Sequence, residues 1–448
     1  MPSPINRLPL ALALLLACGL SHAKQTDASA LDNHLTPLGA ERAGNADGSI
    51  PAWTGGMKPG AAAVGANGDY ADPFAGEQPL YVISKANLDQ YKNLLSAGQQ
   101  AMFARYPDYR VRVFPTHRSA ALPSAYLDET RQNLAKVSLA DAGNGLQGYN
   151  FGVPFAEPTE GLEVMWNHMS RYRGGSMRRS FASATVQEKG DYTLVNYDQL
   201  YAFREKLSDL KQDENLLYFT RVLTTSPSRY AGEVTLVQEP LNQVSTPRAA
   251  WQYIPGQRRV RRAPTVAYDS SARYSFGQVV ADSVDGFNGA PDRYDWKLLG
   301  KRELLVGYNA FGLASKQVKY QDMLKPGFVN PDLARYEKHR VWVVEATLKP
   351  GARHVYGKRR FYIDEDSWQI MASDIYDNRG ELWRYYESFL TQYHDLQLPL
   401  TALESTYDLI SGRYSVNYLT NEEPRRMEVG KPLSEAEFTP AQLKRLGK

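Results

Sequence analysis

Closely spaced arginines are the residues of this sequence that point most directly to chemistry. Arg258, Arg259, Arg261 and Arg262 lie in one short run, and guanidinium groups are suited to bidentate contact with phosphate or carboxylate. On a strand, Arg258 and Arg262 would project to one face and Arg259 and Arg261 to the other. The run predicts either a cationic rim that meets the head group of a lipid-like ligand, or a solvated edge strand whose charges block aggregation.

A second basic group, Lys358-Arg359-Arg360, stands immediately before Phe361. The same two interpretations apply to it. In the solvated interpretation, these side chains lie at an edge or pair with Asp364, Glu365 and Asp366.

Large apolar side chains on predicted strands are the candidates for a ligand cavity. They would either fill a core between sheet and helices or line an apolar cavity on the concave side of a curved sheet. The cavity candidates are Trp251, Tyr253, Trp342, Val344, Phe361, Trp383 and Tyr385.

Motifs that would indicate catalysis are not found. Residues Gly143 to Gly148 match G-x-G-x-x-G, but Tyr149 to Pro154 cannot open the helix that a dinucleotide site requires, so we predict a loop. The sequence holds no G-x-S-x-G, H-E-x-x-H, C-x-x-C or P-loop pattern. We therefore predict a protein that is not an enzyme and has no cofactor.

The histidines give no sign of a metal site, because none forms an i,i+4 pair. Besides His34, the body of the chain contains five that stand singly, namely His117, His168, His339, His354 and His394. A lone histidine is most often a hydrogen-bonded structural residue. We predict no bound metal, and His168 and His339 are the two to locate first.

Three segments have helical periodicity, and the rest of the chain has the two-residue period of strands. The helices are predicted over about 87–103, with Asn87 as cap and Gln90 in a capping box, and over 162–172 and 198–207. Segments 340–348, 359–364, 369–376 and 382–389 predict a meander of hairpins. Further strands are predicted at 216–225, 232–238, 250–254, 258–262, 298–306, 403–409 and 414–419, with a helix-and-loop insertion at 322–337. Because no helices alternate with these strands, the sheet should be antiparallel.

The amino end has the layout of a secretory signal peptide over residues 1–23. Arg7 precedes an apolar run from Leu8 to Cys18 that is too short to span a bilayer, and Ser21 and Ala23 have the small-residue spacing of a cleavage site. Cleavage after Ala23 would release a soluble periplasmic protein. Alternatively, Leu15-Leu16-Ala17-Cys18 resembles a lipobox, in which Cys18 would be acylated and the chain anchored to a membrane.

Composition limits the partners and the domain organisation. The net charge is +3, which argues against nucleic acid as a partner. Residues 24–75 contain many turn-forming residues and no apolar period, so we predict an extended amino-terminal arm. Residues 76–448 are predicted to form a single large curved-sheet domain with helical insertions.

Six strings of sequence resemble the bacterial family known as Domain of Unknown Function 1329. They occupy residues 35–56, 106–118, 250–269, 287–301, 339–368 and 421–424. The family is described as outer-membrane lipoprotein-sorting-like. The resemblance implies the fold of periplasmic lipoprotein carriers, which is an incomplete, strongly bent antiparallel barrel with helices over its concave face and acyl chains inside. It is also similar to components that accompany resistance-nodulation-division exporters.

Two functional hypotheses follow from the residues and the resemblance together. The first is a periplasmic carrier or chaperone that binds a lipid or other hydrophobic small molecule in a cavity and serves outer-membrane transport with an inner-membrane exporter. The alternative is a non-enzymatic envelope scaffold that docks a membrane partner such as an outer-membrane protein.

Overall fold

The computed structural model describes residues 28–211, 214–263 and 268–447, and sixteen of its strands join one sheet. The strands are β1 Tyr81–Ile83, β2 Val111–Val113, β3 Ser138–Ala140, β4 Gly145–Gln147, β5 Ser176–Val186, β6 Tyr192–Phe203, β7 Tyr218–Ser226, β8 Val234–Glu239 and β9 Ala249–Ile254. They continue with β10 Arg259–Arg262, β11 Tyr294–Gly307, β12 Tyr336–Leu348, β13 Lys358–Asp364, β14 Ile370–Tyr376, β15 Leu382–Tyr393, β16 Leu398–Asp408, β17 Tyr414–Leu419 and β18 Glu428–Val429. The helices are α1 Ala97–Arg105, α2 Ser124–Lys136, α3 Gly161–Ser170, α4 Phe311–Ala314, α5 Tyr320–Met323 and α6 Pro440–Leu446.

The sheet runs in the order β1, β2, β12, β13, β14, β15, β16, β17, β5, β6, β7, β8, β9, β10. Strand β11 pairs with β12 and also touches β15, and β18 pairs with β5. Only the short contacts of β2 with β12 and of β11 with β15 are parallel. Among the described residues, β10 pairs with β9 alone, so the sheet ends there on a free edge.

The sheet curves strongly around α3. Gly161, at the start of α3, lies against Val344 of β12, while Trp166 and Met169 share a crevice with Tyr218 of β7. Eight interstrand steps separate β12 from β7 in the strand order, or about 38 Å across a flat sheet. A helix of 10 residues is only about 15 Å long. One short helix can touch both strands only because the sheet bends around it, so α3 occupies the concave side.

Register shifts within the strands account for part of this bending. Irregularities interrupt β11 between Leu298 and Gly300, and the β15–β16 pair between Phe389 and Leu390. An extra residue on one strand increases the local twist and bends the strand. At the end of β11, Gly307 pairs with Phe389 of β15, where a Cβ would lie 2.4 Å from the phenyl ring. Glycine therefore permits the close approach that nearly closes this part of the sheet.

The three largest apolar cores around the sheet are each named for a helix that packs in them. The α3 core on the concave side includes Val164, Met165, Tyr201, Tyr218, Val344, Phe361 and Tyr386. The α1 core on the opposite face includes Met102, Phe103, Val341, Tyr362, Tyr385 and Phe389. The α6 core includes Leu200, Phe219, Leu236, Tyr253, Phe438 and Leu443. Both faces of the central strands are therefore buried.

The segment before β1 packs on the domain through backbone contacts. The indole Nε1 of Trp368 donates to the carbonyl oxygen of Leu38 at 3.1 Å. Gly39 has φ +88°, and a Cβ there would lie 1.8 Å from the carbonyl oxygen of Ala156, so only glycine fits. The predicted signal peptide and Cys18 lie outside the described residues.

The predicted antiparallel, incompletely closed sheet with a helix on its concave face is confirmed. The meander appears as β12 to β15, and all seven further strand predictions match observed strands. The predicted insertion holds α5 and a loop that leads into β12. The segment predicted as a loop at Gly143 to Gly148 contains β4, which pairs with β3 in a small hairpin.

Two helix predictions need correction. The helix over 198–207 is wrong, since β6 runs to Phe203 and one 3-10 turn follows. The helix over 87–103 begins only at Ala97, after two 3-10 turns. Its capping box is formed by Ser96 and Gln99, not by Asn87 and Gln90. The third, α3, is confirmed close to its predicted bounds.

Candidate functional site

A narrow crevice leads from the surface into the concave side of the sheet. Its cavity volume is about 10 Å³, roughly the space of one water molecule. Its apolar wall consists of Trp166, Met169, Leu217, Tyr218, Leu241 and Phe287. Trp166 and Met169 come from α3, so the helix forms one wall and β7 with the segment after β8 forms the other.

The charged groups that line the crevice all have partners: Arg173 and Asp285 pair with each other, and Glu239 accepts from Arg248 at 2.5 Å. Arg173 donates to Asp285 at 2.8 Å, and Arg171 donates to the other oxygen of Asp285 at 2.5 Å. The guanidinium of Arg173 also lies 4.8–5.6 Å from three ring centroids, those of Phe203, Tyr201 and Tyr218. Burial opposes ionisation of Asp285, but the two arginines hold its pKa well below its ordinary value. Because these charges are satisfied internally, a visiting molecule would meet mainly apolar surface.

His168 anchors α3 to the sheet. Its Nδ1 accepts from the backbone N–H of Ile370 at 3.1 Å, and its Nε2 donates to the carbonyl oxygen of Asp285 at 2.8 Å. Burial, reinforced by the charge of Arg171, lowers the pKa of His168 to about 3. The ring is therefore neutral at physiological pH, and this histidine has the structural, hydrogen-bonded role that the sequence predicts.

A buried polar network lies at the carboxyl end of β13, around Asp364. His339 stacks on Tyr308 at 3.8 Å and lies 3.8 Å from a carboxylate oxygen of Asp364. Burial, followed by the charge of Asp366, raises the pKa of Asp364 to about 6. The ligand atoms of His339, Asp364 and Asp366 lie within 4.8 Å of one another, a spacing that could hold a metal ion. Arg118, however, donates to both oxygens of Asp366 at 2.6 and 2.8 Å, so a metal would have to displace a guanidinium.

The seven predicted cavity residues divide among the three cores. The α3 core contains Trp342, Val344, Phe361 and Trp383. The α6 core contains Trp251 and Tyr253, and the α1 core contains Tyr385. Two-residue alternation would place Trp383 and Tyr385 on one face, but the β14–β15 register shifts between Leu382 and Arg384. That bulge turns their side chains to opposite faces, and within the described residues the seven do not share one cavity.

The four predicted rim arginines are exposed on the β9–β10 hairpin at the free edge of the sheet. Arg261 pairs with Gln252 on the face that leads to the α3 core, as does Arg259 with Ile254. Arg262 pairs with Trp251 on the face covered by α6, and Arg258 occupies the turn with φ +51°. None of the four forms an ion pair with another described residue. Arg259 and Arg261 therefore lie on the face opposite to Arg262, as predicted, whereas Arg258 lies in the turn and not on the strand.

Comparison with known proteins places the chain in a family. A model of proteins of unknown function, DUF1329, matches residues 82–444. This chain belongs to the DUF1329 family. It is also 49% identical over 441 residues to the uncharacterized protein PA3922 of Pseudomonas aeruginosa, an alignment that covers 98% of this chain and 97% of that protein. The resemblance noted from the six strings of sequence is thus confirmed, and the family description names no catalytic activity.

Two solved structures overlap part of this DUF1329 chain. A DUF1329 family protein from Desulfovibrio piger is 14% identical, with 60% of this chain and 92% of that one covered and a TM-score of 0.42. The LolA superfamily protein NE2245 from Nitrosomonas europaea is 15% identical, with 63% and 98% covered and a TM-score of 0.38.

Sequence reasoning missed several residues that shape the concave side of the DUF1329 fold. Strand β5 and the pairing of Arg171 and Arg173 with Asp285 were not predicted. The available signal was Arg171-x-Arg173 at the carboxyl end of a predicted helix, since basic side chains often stabilise helix carboxyl ends. No helix within the described part of the chain has the length and apolar character needed to cross a membrane.

Proposed function

We propose that this DUF1329 protein is a periplasmic carrier that binds a hydrophobic or lipid-like molecule on the concave side of its sheet. The observation that supports this most directly is the position of α3. A single short helix fills a concavity that several strands line with apolar and aromatic side chains. The hydrophobic part of a ligand would occupy the space between α3 and β7, widened from the present crevice.

The side chains that α3 contributes suit such a movement. Met165 and Met169 are buried in the α3 core, and methionine adapts its shape more readily than branched residues do. Met169 lines the crevice itself. The crevice can therefore widen by rotation of thioether side chains before the helix has to shift.

Arg259 and Arg261 complete the proposal as a polar rim for the ligand. The cross-strand pairs Arg261–Gln252, Gln252–Thr235 and Thr235–Val222 connect β10 to β7 along one face of the sheet. Tyr218 of the crevice wall lies on that same face. Strand β10 is three strands from β7, or about 14 Å. A molecule with its chain in the crevice and a carboxylate or phosphate at its head could reach that rim.

The test is binding of a fluorescent fatty acid, 11-(dansylamino)undecanoic acid, together with mass spectrometry of an organic extract of the protein purified from a periplasm. Saturable fluorescence enhancement and a stoichiometric acyl species are expected. Met169→Trp should narrow the crevice and weaken binding at least tenfold. Leu80→Trp, at a position that is 64% exposed, should bind like wild type. Absence of both saturable binding and extracted lipid would overturn the proposal, as would full binding by Met169→Trp.

The scaffold role is the second candidate, and the free edge of β10 favours it. An unpaired strand edge is a template for another chain. A photocrosslinking residue at Arg261 would capture a protein partner in cells if this role holds. The carrier proposal predicts that Met169→Trp changes ligand binding, whereas a scaffold should keep its crosslinked partner in that variant.

A further inference from the structure

A second pocket lies outside the crevice, between the amino-terminal segment, β5, β17 and the turn after β15. Its cavity volume is about 40 Å³, larger than a single water molecule needs. Four cationic side chains line it, Arg179, Lys316, Arg425 and Arg426, and no carboxylate is among the described residues of its wall. This arrangement fits an anion.

Arg179 is the best organised of the four cations. Its guanidinium lies 4.2 Å from the ring centroid of Tyr418 and 5.0 Å from that of Phe181. Its Nε donates to Gln199 at 2.8 Å, which fixes the plane of the group. Among the described residues, no carboxylate lies within ion-pair distance of the Arg179 guanidinium. The terminal nitrogens of Arg179 form no hydrogen bond with any described residue. Two parallel donors are thus left for a ligand, the geometry that suits bidentate contact with an oxyanion.

The backbone at Tyr418 is strained in a way that serves this contact. Tyr418 has φ +66°, a conformation that bulky residues rarely adopt. It lies at the irregularity of the β17–β5 pair between Val416 and Leu419. Strain of this kind persists where surrounding structure enforces it and is concentrated at functional sites. Here it brings the ring against the guanidinium of Arg179.

Lys316 supplies a second positive charge, and it forms no ion pair with another described residue. Its Nζ donates to the backbone carbonyl oxygens of Thr420 and Glu423 at 3.0 and 2.7 Å. The third N–H of the ammonium group is left to donate to a ligand. Burial lowers the pKa of Lys316, although the nearby carboxylates of Asp69 and Glu423 act in the opposite direction. A bound anion would oppose the shift further.

The other two cations stand at the mouth of the pocket and are already paired. Arg426 donates to Asp395 at 2.5 Å, and Arg425 lies 3.6 Å from Asp198. Asp395 also accepts from the hydroxyl of Tyr70 at 2.5 Å, which ties the amino-terminal segment to the pocket wall. Because both carboxylates are engaged at the rim, the positive charge of the interior comes mainly from Arg179 and Lys316.

We propose that this pocket binds a phosphate-type oxyanion, held by Arg179 and Lys316 and flanked by the ring of Tyr418. The group could belong to a free phosphate compound or to a lipid head group. The proposal does not depend on whether the crevice at α3 binds an acyl chain.

The test uses isothermal titration calorimetry with three probes, inorganic phosphate, glycerol 3-phosphate and dihexanoyl phosphatidic acid. Saturable binding of at least one probe is expected. Arg179→Gln should weaken it at least tenfold, and Lys316→Gln should weaken it several-fold. Arg178→Gln is the matched control, because Arg178 is the preceding residue, is exposed and points to the other face of β5.

The probes separate the two sources of the anion. Binding of glycerol 3-phosphate as tight as that of the lipid would indicate a site for the phosphate group alone. Much tighter binding of phosphatidic acid would indicate a lipid head group. Failure of all three probes to bind, or equal binding by Arg179→Gln and wild type with the native circular dichroism spectrum retained, would overturn the proposal. Neither result depends on the fatty acid experiment at the crevice.

Discussion

Arg359 and Asp282 form an almost completely buried ion pair, with Nη2 2.5 Å from Oδ2 and Nη1 3.1 Å from Oδ1. The two side chains are 1% and 2% exposed. The pair ties β13 to the long segment that precedes β11. Two interpretations were left open for Arg359, a cationic rim and a solvated edge with pairing to Asp364, Glu365 or Asp366. Both are wrong for this residue, because its guanidinium is buried against Asp282. Strand β13 lies between β12 and β14, so it is central and not an edge strand.

Removing one partner of this pair should destabilise the protein strongly. Arg359→Met leaves the carboxylate of Asp282 buried without its main counter-charge, and we expect the free energy of unfolding to fall by about 3–5 kcal/mol. Denaturant unfolding measures the change. Arg379→Met is the matched control, because Arg379 is 78% exposed in its pair with Asp377 and should change stability by less than about 0.5 kcal/mol. The double variant Arg359→Met, Asp282→Asn should recover part of the loss. An Arg359→Met protein as stable as the control would contradict this account.

Glu387 should make stability fall as the pH rises from about 4.5 to about 7. Its carboxylate accepts from the hydroxyls of Tyr407, Tyr336 and Tyr385 at 2.8, 3.0 and 3.2 Å, and burial raises its pKa to about 7. The folded protein therefore binds a proton that the unfolded chain has lost, so the contribution of this group is full below the unfolded pKa and is lost by about pH 7. Comparison of urea unfolding at pH 5 and pH 8 for wild type and Glu387→Gln measures it. The wild-type difference should shrink in the variant by roughly 2–3 kcal/mol, and an unchanged pH profile would count against the assignment.

Gly98 is required at the start of α1 because Tyr385 lies directly against it. A Cβ at Gly98 would lie 2.2 Å from the tyrosine ring and 2.8 Å from Oδ1 of Asp374. Gly98→Ala should therefore destabilise the protein by about 1–3 kcal/mol, despite the better helix propensity of alanine. Gly76→Ala is the control, since no atom lies within 4 Å of its Cβ position. Thermal unfolding of both variants tests the contrast, and similar melting temperatures would refute it.

The two faces of the β9–β10 hairpin should contribute differently to ligand binding. Arg259→Gln with Arg261→Gln should weaken binding of 11-(dansylamino)undecanoic acid by up to about fivefold, the range of an exposed ion pair. Arg258→Gln with Arg262→Gln removes the same charge away from that face and should have little effect. The methyl ester of the probe should bind both pairs of variants equally. Identical losses in the two pairs, or a loss with the ester, would show that these arginines do not form a rim.

Clear turns between successive strands made β12 to β15 predictable, although both faces of β13 to β15 are largely buried. Strand β6 was mistaken for a helix because both of its faces are buried near its end. Leu200 and Ala202 pack in the α6 core, while Tyr201 and Phe203 face the α3 core. Such a strand has no polar alternation, and its apolar residues also satisfy a helical period.

The candidate site was less predictable, because bulges and the path of the chain in space determine it. The register shift at Trp383 places Trp383 and Tyr385 on opposite faces of the sheet. No local sequence pattern indicated this shift. Arg179 received no prediction from the sequence because it stands alone, and the residues that complete its pocket come from four distant segments. The arginine run at 258–262 was visible only because its charges are adjacent in the chain.

The contact between Leu38 and Trp368 also limits how early in synthesis the protein can complete its folding. These two residues are 330 positions apart in the chain. Strand β2 likewise cannot pair until β12 has been synthesised, because Val113 of β2 pairs with Tyr336 of β12. A chain emerging amino end first from a ribosome or a membrane channel presents its opening segment long before the docking surface exists. That segment must stay unpaired until most of the polypeptide has followed. Slow closure of such distant contacts is intrinsic to this topology, so the nascent protein should depend on chaperones until its last strands arrive.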